Sequence, residues 1–212
     1  MKTTLALLLV LLLGGCAVSP PAATGSEPTA VRFAVAGDSL TSWTNVSFPN
    51  PDGDFDERTW LHWALESPEL ELLGGYAHPG ARSGGIIEAI GPVDAEVLVV
   101  MAGTNDIGRA PAPEVLDNIE GIVAIVGAET VIVCAIPPRV DLIEEAAELN
   151  AGLEARAGDQ GWIFIDPWVT ARDATGSWSP GATTDGIHTT PESARAASDV
   201  ITAAMRSAAE QG

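Results

Sequence analysis

The chain has 212 residues, nearly half of them hydrophobic, enough for one domain with a full core. Its formal charge is −19, and Lys2 is its single lysine. That balance makes nucleic acid a poor candidate partner, because a strongly acidic chain is repelled by a row of phosphates.

Residues 1–15, "MKTTLALLLVLLLGG", have the layout of a secretory signal: a short basic start, an apolar run from Leu5 to Leu13, then small residues. The run is too short to span a bilayer. Leu13-Gly14-Gly15 leads directly into Cys16, which resembles the lipobox of bacterial lipoproteins. The resemblance implies that cleavage leaves Cys16 as a lipidated N-terminus, placing the protein at the cell membrane on its extracytoplasmic face. If the match is a chance one, the protein is secreted. Residues 17–30 are rich in Pro, Ala, Ser and Thr, and read together with Cys16 as a tether over 16–30 holding the domain on the order of 20 Å from the membrane. With Cys16 acylated, Cys134 has no disulfide partner, and its place in "TVIVCAIPP" suits a small buried hydrophobe.

The folded domain is expected over 31–212. Short, nearly continuous apolar runs at 31–37, 69–75, 96–103, 130–137 and 162–166 read as buried parallel strands. Helical patterns fall between them at 56–67, 84–90, 112–127 and 141–158, and a last helix covers 191–211, started by Thr190 and Pro191. The alternation predicts an α/β fold, a parallel sheet covered on both faces.

Ligands of such sheets bind beyond the carboxyl ends of the strands. The first strand ends in "GDS", the second runs on to "YAHPGARSGG", the third ends in "GTND", and "DGIH" lies before the last helix. Ser39 is the candidate nucleophile, with its capping role at the start of a helix as the structural alternative. Of three histidines, His62 reads as packed within a helix and His78 lies in the loop after the second strand. His188 is the better base, because Asp185 three residues earlier can orient its ring. Asn105 can offer a side-chain N–H to an oxyanion, and a glycine of the second loop a backbone N–H. Trp43, Trp60, Trp63 and Trp178 flank these stretches, where they line a pocket or pack the core. "DGDFDE" at 52–57 alternates acids as a calcium loop does but lacks the glycine and closing glutamate, and reads as a loop leading into a helix.

"GDSL" at 37–40, "GTND" at 103–106 and "DGIH" at 185–188, in this order, resemble the motif blocks of the SGNH/GDSL hydrolase superfamily. The resemblance implies a flavodoxin-like three-layer α/β/α sandwich on a five-stranded parallel sheet. It also implies ester hydrolysis through an acyl-enzyme, with no metal and no cofactor. Carried over, Ser39 is the nucleophile and an oxyanion donor, His188 the base and then acid, Asp185 its orienting carboxylate, and Asn105 a further oxyanion donor. The glycine block matches less well: Gly80 fits first and Gly84 second. The expected activity is a monomeric serine esterase on small acyl esters or acylated glycans. Acyl transfer to a cell-wall glycan and a non-catalytic surface binding module are the alternatives.

Overall fold

The computed structural model describes residues 30–43 and 55–211. The signal, Cys16, nearly all of the tether and the start of the acidic loop lie outside the described residues. Five parallel strands, β1 (Val31–Gly37), β2 (Leu70–Ala77), β3 (Val97–Met101), β4 (Thr130–Cys134) and β5 (Ile163–Ile165), form one sheet in the order β2-β1-β3-β4-β5. The strand order reverses between β1 and β3, which opens a crevice at their carboxyl ends.

Strand geometry sends alternate side chains to opposite faces, so each central strand feeds two cores. Phe33, Val35, Val97, Val99 and Met101 pack on one face against α1 (Trp60–Ala64) and α5 (Pro191–Ala209) through Trp60, Leu61, Ile201 and Met205. Ala34, Ala36, Leu98 and Val100 face the other way. They meet Ile86 of α2 (Ser83–Ala89), Ile119 and Ile122 of α3 (Ala112–Val126), and Leu149 and Leu153 of α4 (Ile143–Gln160). The result is the three-layer α/β/α sandwich expected from the sequence.

The element boundaries differ where local hydrogen bonding overrides hydrophobic pattern. The helix expected over 56–67 is only Trp60–Ala64. Ahead of it the Asp56 carbonyl accepts from the Thr59 N–H and hydroxyl, closing a turn, and Thr59 is extended. The second strand continues past its expected end at 75 to Ala77, with a register shift between Phe33 and Ala34 that leaves Leu73 without a partner in β1. The third and fourth strands stop at Met101 and Cys134, short of their expected ends. Thr190 starts α5 as anticipated, its side chain accepting from the Ser193 N–H, with Pro191 in the first turn. Cys134 is a free, fully buried cysteine, and burial pushes its thiol well above the usual range.

No helix among the described residues is long and apolar enough to cross a membrane.

Candidate active site

β1 delivers its last residue, Gly37, into a single tight turn rather than a helix. The Asp38 carbonyl accepts from the N–H groups of Thr41 and Ser42, and the Asp38 carboxylate accepts from the Leu40 N–H at 3.0 Å. The side chain capping this turn is therefore Asp38, and Ser39 is not a helix cap: no helix among the described residues starts there, and its hydroxyl faces elsewhere. Gly37 is needed for close approach, since a Cβ there would lie 2.2 Å from Thr41 Oγ1. Thr41 cannot swing aside, because its hydroxyl is buried and accepts from Trp60 Nε1 at 3.0 Å.

Ser39 Oγ lies 3.0 Å from His188 Nε2, bridging residues 149 positions apart. His188 Nδ1 lies 2.7 Å from Asp185 Oδ2. The other Asp185 oxygen accepts from the backbone N–H groups of Ile187 at 3.0 Å and His188 at 2.8 Å, so one carboxylate both folds the loop and orients the ring. A carboxylate on Nδ1 fixes the proton there and leaves Nε2 to accept from the Ser39 hydroxyl. Partial burial raises the Asp185 carboxyl, but bonds from the His188 ring and the two N–H groups outweigh this and hold it at about 2. Trp178 braces the loop by donating to the Gly186 carbonyl at 3.0 Å.

The rings of the other two histidines are bonded to main-chain carbonyls. His62 Nδ1 is 2.6 Å from the Phe55 carbonyl, and His78 Nδ1 is 2.7 Å from the Pro79 carbonyl. Trp60 and Trp178 are core residues, while Trp43 packs on the His188 ring, 4.5 Å between centroids.

Asn105 follows β3. Its Nδ2 donates to the Ala81 carbonyl at 2.9 Å and, less closely, to Asp38 Oδ2 at 3.3 Å. Ala81 directly follows Gly80, a loop residue with φ +76° and open space where a Cβ would stand. Gly84, the second choice, is inside the first turn of α2. The bond to Ala81 thus ties Asn105 to the Gly80 side of the loop.

Beneath lies a carboxylate pair that sequence reasoning missed. Asp106 accepts from the Ser83 N–H at 3.0 Å and the Ser83 hydroxyl at 2.8 Å, and Asn118 donates to the same hydroxyl at 3.0 Å. These bonds lock α2 to the end of β3 and to α3. Asp38, fully buried, is the exceptional acid: burial raises its carboxyl to about 7, with the Asp106 charge adding to the rise and the Leu40 N–H opposing it.

This has a consequence for stability. Unfolded, Asp38 ionises near 3.8; folded, it holds its proton to about 7. Between those values the folded state binds more protons, so stability from this group falls as pH rises, then levels off, a loss on the order of 4 kcal/mol. Denaturant unfolding at pH 4 and pH 8 should show a larger decline for the wild type than for Asp38→Asn. Equal declines would contradict a neutral buried Asp38.

A cleft of about 550 Å³ is lined by Val31, Glu69, Glu96 and Thr130 at the amino ends of the strands, at the opposite edge of the sheet from Ser39. No cluster of His, Cys, Asp or Glu fit to hold a metal exists among the described residues.

Residues 35–196 match the GDSL-like Lipase/Acylhydrolase family. The chain belongs to that family. No curated protein matches it at a significant level. Among solved structures, this GDSL-like hydrolase is similar to a GDSL-like lipase from Bacteroides thetaiotaomicron, at 18% identity over 84% of this chain and 88% of that one, TM-score 0.64. It is also similar to a carbohydrate acetylesterase from Sinorhizobium meliloti, at 16% identity over 84% and 99%, TM-score 0.60. An aryl esterase of M. smegmatis matches at 20% identity over 84% and 99%, TM-score 0.60. The GDSL-like hydrolase is accordingly a serine ester hydrolase on the flavodoxin-like fold.

Proposed function

We propose that the protein hydrolyses small acyl esters, acetyl esters of carbohydrates foremost, through an acyl-enzyme on Ser39, and that Cys16 anchors it outside the cytoplasmic membrane. The hydrogen-bonded chain from Ser39 through His188 to Asp185 carries this reading, and the acetylesterase among its structural relatives supports the acyl group.

Ser39 Oγ attacks the ester carbonyl as His188 Nε2 takes its proton, with Asp185 stabilising the imidazolium. The oxyanion is met by the N–H groups of Ser39 and Gly80 and by Asn105 Nδ2, which gives up its longer bond, the one to Asp38, to reach it. His188 returns the proton to the leaving alcohol, and a water then repeats the attack on the acyl-Ser39. No step needs a metal or cofactor.

Incubation with nitrophenyl esters of rising chain length and with acetylated xylo-oligosaccharides tests the reading. Acetyl esters should turn over fastest, releasing free acetate at the same rate with or without a glycan hydroxyl acceptor. Acylated acceptor as the main product would replace hydrolysis by transfer, and failure to turn over any ester would overturn both.

A further inference from the structure

His188 has more around it than its carboxylate. Asp185 holds only the Nδ1 edge of the ring, and its side chain is 50% exposed. A half-solvated carboxylate, by itself, leaves an imidazole free to tilt. A second group meets the ring: Trp43, edge to face at 74°. Trp43 is itself covered by the Arg58 guanidinium, whose central carbon lies 3.9 Å from its centroid.

Arg58 is fixed at both ends. Its guanidinium forms a forked pair with Asp56, Nε to Oδ1 at 2.7 Å and Nη2 to Oδ2 at 2.8 Å, and Asp56 Oδ1 also accepts the Arg58 N–H at 2.9 Å. The pair holds the Asp56 carboxyl at about 2. The Arg58 carbonyl in turn accepts from the hydroxyl of Thr189 at 2.7 Å, and Thr189 is the residue after His188. One residue therefore grips the histidine loop with its main chain and the aromatic partner of the imidazole with its side chain. A forked guanidinium–carboxylate pair is the most directional ion pair available, and a cation over indole is attracted by the ring quadrupole. Pairing with Asp56 also offsets the positive charge that would otherwise oppose imidazolium formation.

We propose that Trp43 and Arg58, anchored by Asp56, are positioning residues that hold the His188 imidazole on Ser39. This rests on the hydrolase reading above. The turn at 56–59 that shortens α1 then has a purpose, since it places the Arg58 carbonyl against Thr189 and its guanidinium on Trp43.

The test compares wild type, Trp43→Ala, Trp43→Phe and Arg58→Met on nitrophenyl acetate, together with the rate of labelling by a small serine-directed phosphonate. Misplacing a base by up to about 1 Å costs roughly 10- to 100-fold in rate. Trp43→Ala and Arg58→Met should lose that much in kcat, with KM within about threefold of wild type. Phosphonate labelling should slow by the same factor, and Trp43→Phe should recover most of the rate. A rise in KM with kcat and labelling unchanged would make Trp43 a substrate wall and overturn the proposal. So would a lowered Tm with unchanged kcat per labelled site. If the wild type labels and turns over no ester, the hydrolase reading itself has failed; a hydrolytic wild type with wild-type rates in the variants sinks the positioning role alone.

Discussion

Ser39→Ala should reduce ester hydrolysis by on the order of 10⁵-fold while leaving the fold intact. Among the described residues the hydroxyl makes one hydrogen bond, to His188 at 3.0 Å, and its side chain fills little of the core, so its removal leaves no cavity. Its turn is held by Asp38, whose carbonyl and carboxylate bind Leu40, Thr41 and Ser42 whatever stands at 39. Oxyanion donors remain in the variant, so a residual rate above uncatalysed hydrolysis is expected, with water in place of the hydroxyl. Steady-state assay and phosphonate labelling check this alongside thermal unfolding. Undiminished turnover in Ser39→Ala would remove Ser39 from the chemistry.

What the sequence disclosed and what it hid divide along contact range. Strands buried on both faces announce themselves as apolar runs, so β1, β3 and β4 are legible in the sequence, and short contiguous motifs bring Ser39, Asp185 and His188 with them. The hidden features are pairings between segments. Asn105 meets Asp38 across 67 positions, Asp106 meets Ser83 across 23, and Thr189 meets the Arg58 carbonyl across 131. No periodicity encodes those. Asp38 was visible as a letter of "GDSL", yet the rise of its carboxyl to about 7 depends on complete burial beside a second carboxylate, which only packing supplies. The expected helix at 56–67 failed for a local reason: Asp56 and Thr59 bind backbone and side-chain groups in a turn, as short polar residues do when they compete with a helix.

Asp185→Asn should cost on the order of 10⁴-fold in kcat, more than its near-identical shape suggests. The replacement can keep the turn, because its amide oxygen can accept from the N–H groups of Ile187 and His188 that Asp185 Oδ1 holds now. Its amide NH₂ then faces His188 Nδ1, where a carboxylate oxygen stands at 2.7 Å. A donor at that place moves the ring proton to Nε2, so the imidazole points an N–H at Ser39 Oγ and can no longer take its proton. Asp185→Ala removes the wrong donor along with the right acceptor, leaving the ring free to choose its tautomer; at equal folded fraction it should therefore retain more activity than Asp185→Asn. The wild-type carboxyl, held at about 2, stays ionised throughout the pH range of an ester assay, so no loss of rate above about pH 4 is traceable to its protonation. Rates of the two variants, corrected for folded fraction, check the order. If Asp185→Asn were the faster, orientation by the loop rather than the tautomer set by the carboxylate would be what His188 draws from Asp185.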